Sequence, residues 1–411
     1  MGRLAGLTSN PAARANRVFR SERASVRIGF LFNHDQIHQV AHSLPIAMRL
    51  AEAETGAEII VATTNVRLRE EVQRLAAEQI GSSIELVELR LRRPLSKALA
   101  RFASGVVPAA KLLVYRDNLD FFRSLDVLVV AEKTSLVLKS RYGLKKLKII
   151  HTRHGAGDRA IGFDAASAKF DHVLVSGPKV RDRLIEEAGV APERISVVGY
   201  PKFDLFGQAS APRSVGKRPV VLYNPHVSPH LSSWYKLGQK VLDWFAAHPE
   251  YELIFAPHVM LFERRMVATV DRLRVDFPGS IDPSILAAPN IHIDLGSRAS
   301  TTMEYLDRAD IYLGDVSSQA YEFLIRPRPC VFLNAHRVAW RDDPNYAIWR
   351  AGPVIERVDD LGVALTEAQE QQGNVFAPIQ RLLFDAAFDL TDQPSAERAA
   401  EAVARFAGLS R

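Results

Sequence analysis

Cysteine is nearly absent: Cys330 is the only one in 411 residues. That excludes an internal disulfide and any multi-cysteine metal site, and it points to a reducing, cytoplasmic compartment. Long apolar runs are also missing. Met1 is followed by a polar, Arg-bearing stretch rather than by the apolar core of a secretory signal or the roughly 20 apolar residues of a spanning helix. Work at a membrane is therefore expected from its surface. No low-complexity tract and no internal repeat interrupts the chain, and neither sign of charge dominates. The 53 Lys and Arg against 47 Asp and Glu leave +6, an excess that attracts anions without specifying them. With 47% hydrophobic and 24% charged residues the composition is that of a folded globular chain. The length exceeds one ordinary α/β core, so two domains are expected.

What is present begins with the placement of the basic residues. Residues 13 to 27 (ARANRVFRSERASVR) and 90 to 116 (RLRRPLSKALARFASGVVPAAKLLVYR) mix cationic and apolar side chains with few acids. This is the pattern of a segment lying on an anionic lipid surface, and equally of an amphipathic core helix. The interleaved Leu, Val and Phe suit lipid better than a phosphate backbone, so nucleic acid is not expected as a partner.

Short β-branched runs alternate with longer segments of helical period, the mark of βα units around a parallel sheet. Strands are expected at 25–32, 57–63, 83–89, 126–131, 147–152 and 172–177, with helices near 36–53, 66–79, 94–123 and 178–188. A break at 205–218, rich in Gly, Ser, Pro and basic residues, reads as a linker. Strands resume at 219–225, 251–257, 290–294, 310–315 and 329–334, and helices near 374–387 and 394–408 close the chain. The expected division is a basic segment 1–24, a Rossmann-like domain 25–208, a second one 218–385 and a C-terminal helix 386–411. Ligands of open parallel sheets bind beyond the carboxyl ends of the strands, so polar residues directly after strands are the candidates.

Four clusters meet that condition. His151 to Arg159 (HTRHGAGDR) follows LKII. Gly155 there permits close backbone approach to a ligand, His154 suits a general base, and Arg153 and Arg159 suit phosphate oxygens; a solvated loop is the bland alternative. Gly199 to Asp204 (GYPKFD) is a stiff exit from the first domain, with Lys202 and Asp204 either lining the cleft or serving a hinge. His226 and Ser228, in YNPHVSPH, and His258, in FAPH, end successive strands of the second half. They face a donor or an acceptor hydroxyl, unless they belong to ordinary turns. In DIYLGDVSSQAYEF an apolar strand ends at Asp315, and Ser317 and Ser318 open a helix. Free N–H groups and hydroxyls at such a start bind pyrophosphate, although serine also caps helices that bind nothing.

Taken in order, His154-Gly155 to Arg159, Gly199 to Asp204, Asn224-Pro225, His258 and Asp315 to Ser318 resemble the motifs of the CDP-glycerol glycerophosphotransferases of teichoic-acid-type polymer synthesis. The resemblance covers roughly residues 145–335. Arg159 stands where that family more often has Lys, Val316 where it often has Tyr, and Val259 where it has Pro. The resemblance implies a GT-B fold, α/β, with two Rossmann-like domains facing a central cleft. It further implies a first domain for the acceptor and a second for the nucleotide donor. His154 would be base on an acceptor hydroxyl, with His258, Ser317 and Ser318 around the donor phosphates, and Arg159, His226 and Asp315 join that phosphate set. The donor is a CDP-linked substrate, with no separate cofactor and no metal. The acceptor is a polyol or lipid-linked hydroxyl, and the protein is expected at the inner face of the cell membrane. Two other enzyme classes share the pattern in part: glycosyltransferases using a nucleotide-sugar, and the non-hydrolysing UDP-GlcNAc 2-epimerases, whose Glu-Glu pair after a Ser-Gly-Gly turn has no counterpart here. A non-catalytic GT-B binding module is the remaining alternative.

Overall fold

The computed structural model describes residues 25–409 apart from 35–36, 95, 97–106, 154, 160–161, 207–217, 264–265 and 270–273. Residues 13–24, 95 and 97–106 of the two basic amphipathic segments, the centre of the expected linker and His154 therefore lie outside the described residues.

Seven short apolar runs, rich in β-branched or aromatic residues, form the first sheet: β1 (Arg27–Phe32), β2 (Glu58–Thr63), β3 (Ile84–Glu88), β4 (Val127–Val130), β5 (Lys148–Thr152), β6 (His172–Val175) and β7 (Ile195–Val197). Their order is β3-β2-β1-β4-β5-β6-β7, with every pairing parallel. Both faces are buried, because successive side chains point to opposite sides. Ile28, Phe30 and Phe32 pack against the helix Val40–Glu52, whereas Leu31, Leu128 and Val130 join Tyr115 and Phe122 on the other side.

The alternation resumes with β8 (Val220–Asn224) and β9 (Glu252–Phe255), an antiparallel hairpin of β10 (Val267–Thr269) and β11 (Arg274–Asp276), then β12 (Ile291–Ile293), β13 (Ile311–Gly314), β14 (Cys330–Leu333) and β15 (Val354–Ile355). The second sheet, β12-β9-β8-β13-β14-β15, is likewise parallel. Strands expected from the sequence fall within a residue or two of those observed. Additions are β7, the hairpin and the two-residue β15, each too short to carry a clear period.

Two features tie the halves together. The final helix Ser395–Phe406 returns to the first sheet, placing Ala399, Ala400, Ala402 and Val403 in its core. One face of the second sheet takes in Ala156, Tyr200 and Phe203 from loops of the first half, with Ala387 and Phe388. In both sheets the strand order reverses once, between β1 and β4 and between β8 and β13. Such reversals open a crevice at the strand ends.

Candidate active site

A cavity of about 510 Å³ occupies the meeting point of the two crevices. From the first half it is lined by His38, Gln39 and His42 after β1, by Glu132, Lys133 and Thr134 after β4, and by His151, Arg153, Gly155, Asp158 and Arg159 in and after β5. The second half adds His226 after β8, His258 after β9, and Val316 to Gln319 after β13.

Contact between the halves is closest where Gly155 and Gly157 lie on Ser318. Gly155 has φ +138°, and a Cβ there would come 3.3 Å from the Ser318 Cβ; one on Gly157 would be 3.5 Å from the Ser318 backbone nitrogen. Gly155 is thus required both by its left-handed backbone and by the approach. Ser317 caps the six-residue helix Ser318–Phe323, its Oγ accepting from Gln319 N at 3.1 Å. The same hydroxyl also has the buried Tyr312 hydroxyl as a partner, and Ser317 lies on the cavity wall.

Asp315 is fully buried, and its carboxylate does not line the cavity. Its oxygens accept from the backbone amides of His226 at 2.7 Å and Ser233 at 3.0 Å. Burial pushes its carboxyl up to about 7, against the pull of those amides. Asp315 therefore shapes the loop after β8 and acts on a ligand only through His226. Ser228 also stays off the cavity wall and turns the same loop, its N–H donating to His226 Nδ1 at 2.8 Å. Asp204 sits elsewhere again, accepting from Ser395 and Ala396 N at the start of the final helix.

The imidazoles are held neutral. Burial, then Arg159, lowers His258 to about 4, and burial with Arg159, His258 and His230 takes His226 well below its usual range. A neutral imidazole has one acceptor nitrogen. His226 meets a donor at each ring nitrogen, the Ser228 N–H at Nδ1 (2.8 Å) and Arg159 Nη1 at Nε2 (2.5 Å), and accepts from only one of them at a time. Arg159 is thereby held against the ring on the cavity wall. His258, whose ring centroid is 6.0 Å from that of His226, accepts from Met260 N through Nδ1 at 3.3 Å and keeps its other nitrogen as a donor.

The cations divide into committed and uncommitted. Lys202 lines the cavity but is ion-paired to Glu322 at 2.7 Å, both side chains 3% exposed. Lys179 is paired with Asp158 at 2.8 Å. Arg153 donates to Gly162 O at 2.5 Å and stacks on Phe163.

Solved structures share this arrangement of the chain at the level of the fold. No protein-family model matches the chain, and no curated protein does. In structure it is similar to the wall teichoic acid polymerase TagF, at TM-score 0.59 and 14% identity over 93% of this chain and 89% of the polymerase. It is similar also to a putative UDP-N-acetylglucosamine 2-epimerase from Listeria monocytogenes (0.56, 14%, 94% and 98%) and to the glycotransferase of kitacinnamycin (0.54, 15%, 93% and 99%). The fold is GT-B.

Within the GT-B cleft, sequence reasoning brought together Arg153, Gly155, Arg159, Lys202, His226, His258, Ser317 and Ser318, all of which line one cavity. It missed His38, His42, Glu132, Lys133 and Thr134. The first two carry a signal: His34, His38 and His42 recur every fourth residue directly after β1, a spacing that stacks side chains along one helical face. Across the cleft, the His38 ring centroid is 6.1 Å from that of His258. Glu132 to Thr134 follow β4 at the order reversal, which only the sheet topology reveals.

Proposed function

We propose that this chain is a transferase that moves glycerol phosphate, or a closely related group, from a CDP-activated donor to a hydroxyl of a polyol or lipid-linked acceptor. The observation that carries the reading is the packing of Gly155 and Gly157 on Ser318, which sets the His-Gly loop directly against the serine pair. Arg159 and His226 lie against each other on the wall of the same cavity.

The donor phosphates are assigned to the second-domain side, near Ser317, Ser318, His226 and His258, with Arg159 supplying charge from the first domain. A bound phosphate would raise the affinity of His226 and His258 for protons, since an anion favours the charged ring. Both would then share in stabilising the leaving group. His154 takes the proton of the acceptor hydroxyl as its oxygen bonds to the donor's β-phosphorus. The bond from that phosphorus to the bridging oxygen breaks, and CMP leaves with the electron pair. General base catalysis of this kind is worth about 100- to 10,000-fold. TagF has been solved after soaking with CDPG, and the similar MnaA of S. aureus with UDP, which makes cytidine and uridine diphosphates the two donors to compare.

The test incubates the protein with CDP-glycerol and, separately, with UDP-sugars, and measures CMP and UDP release. CMP release abolished by His154→Ala, with CDP binding retained, is the expected result. UDP release without CMP release would replace the glycerophosphate donor with a sugar donor. Among the described residues no helix is long and apolar enough to cross a membrane. Work at the inner face of the membrane rests on the basic composition of the first amphipathic segment, since Leu112, Val114 and Tyr115 of the second pack in the first-half core, and it predicts sedimentation with anionic but not with neutral liposomes.

A further inference from the structure

Nearly every enclosed cation around the cavity has a carboxylate. Lys179 has Asp158, Lys202 has Glu322, Lys111 has Glu132, Lys133 has Asp164 at 2.8 Å, and Arg183 has Glu187 at 2.5 Å. Arg153 differs from these: among the described residues no carboxylate lies within ion-pair distance of it. Its partners are Gly162 O and the face of Phe163, 4.4 Å from the guanidinium carbon, and its enclosed Nε has no hydrogen-bond partner. Asp164, the nearest acid to act on it, is already held by Lys133. A second guanidinium, Arg183, covers the same Phe163 ring at 4.0 Å and repels it. With these neighbouring pairs neutral, the charge of Arg153 has no ion-pair partner among the described residues on its wall of the cavity.

Enclosing a cation without a counter-charge is costly, and proteins pair such groups or use them on an anion. Desolvation lowers Arg153 to about 10, which leaves it charged at neutral pH. Its guanidinium is turned to first-domain groups, Gly162 O and the Phe163 ring. Arg153 follows β5 on the first-domain wall, beside Gly162 and Lys133, whereas Ser317, Ser318, His226 and His258 belong to the second domain.

We propose that Arg153 anchors a negatively charged group of the acceptor, a phosphate or carboxylate, in a first-domain subsite distinct from that of the donor phosphates. The acceptor is then an anionic hydroxyl compound, held by its charge at Arg153 while its hydroxyl faces the donor. This rests on the transferase reading for the word acceptor, but the anion site stands on the unbalanced charge alone. A guanidinium donates through a planar fork that matches two oxygens of a phosphate or carboxylate, so a lysine is an incomplete replacement.

Calorimetric titration of the full chain, saturated with CDP, with glycerol 3-phosphate, inorganic phosphate and glycerol tests this. Glycerol 3-phosphate is expected to bind alongside CDP and neutral glycerol is not; inorganic phosphate tells whether the anion alone suffices. Arg153→Gln is expected to weaken glycerol 3-phosphate about ten- to a hundredfold, the size of a lost charge-assisted contact. Arg153→Lys should fall between, and it serves alone if the glutamine variant does not fold. A purely structural Arg153 would lower thermal stability and leave this affinity unchanged, which would overturn the proposal. So would glycerol 3-phosphate competing with CDP, since the anion would then occupy the donor site. If CDP itself does not bind, the donor reading fails. The same titration without CDP still reads the dependence on Arg153.

Discussion

At the scale of single residues the cleft is governed by burial acting on ionisable groups. His258 is held near 4, against 6.5 for a free imidazole. The folded protein keeps this ring neutral where the unfolded chain protonates it. Stability that is fully present above pH 6.5 is therefore lost as pH falls from 6.5 towards 4. A difference of that size corresponds to about 3 kcal/mol. Urea unfolding of His258→Gln is expected to weaken less steeply between pH 7 and 4.5 than that of the unaltered protein; equal slopes would place the acid sensitivity on other groups. Asp315 invites the opposite kind of test. Because its two amide partners need only an acceptor, Asp315→Asn should keep the loop after β8. Asp315→Ala should cost about 2 to 6 kcal/mol by stranding two buried N–H groups. Chemical denaturation of the two variants separates these outcomes. Serine-rich starts such as Ser317-Ser318 were legible as a phosphate site or a cap, and the structure makes Ser317 a cap on the cavity wall. Asp315 looked in sequence like part of the ligand set. Only its burial shows that its oxygens are spent on backbone amides.

At the scale of elements, the short helix Ser318–Phe323 is held by both loops of the first domain. Tyr321 donates to Asp158 at 2.8 Å, and Glu322 accepts from Tyr200 at 2.6 Å and Lys202 at 2.7 Å. Adjacent residues thus hold different loops, the His-Gly loop and the Gly-Tyr-Pro turn. Six residues make too short a helix to keep its place by itself, so these contacts set the register between the serine pair and the His-Gly loop. Tyr321→Phe should cost about 1.5 to 3 kcal/mol, a hydrogen bond to a charged group. It should speed amide exchange in residues 155–159 while leaving 199–202 protected. Glu322→Gln, which leaves Lys202 buried without its counter-charge, should cost about 3 to 5 kcal/mol and loosen 199–202 first. Exchange mass spectrometry distinguishes the two patterns, and equal loosening of both loops by either variant would refute independent holds. The elements themselves were legible, because runs such as VLVV and IYLG have a clear β character. These holds were not. Asp158 and Tyr321 are 163 residues apart, and nothing local to either residue encodes the partner.

For the whole molecule, the question is what makes two Rossmann-like units behave as one. An aromatic cluster crosses between them: Phe388 lies 4.7 Å from Tyr200, 5.0 Å from Phe203 and 5.0 Å from Phe384 between ring centroids. Just beyond it the chain turns back, and the final helix packs on the first sheet with Asp204 at its start. The C-terminal residues are therefore structurally part of the first unit, although the even alternation of strands in the sequence gives no sign of the return. Phe388 is buried against both units, so its removal tests the coupling. Phe388→Ala should destabilise the protein by about 3 to 5 kcal/mol, the usual range for a buried phenylalanine. Because it leaves both sheets intact, the loss should fall on the interface. Thermal unfolding is expected to split from one transition into two. Nucleotide binding, assigned to the second unit, should survive the first of them. A single transition lowered as a whole would mean that the Lys202–Glu322 ion pair and the Tyr321–Asp158 hydrogen bond suffice to keep the units cooperative without the aromatic cluster.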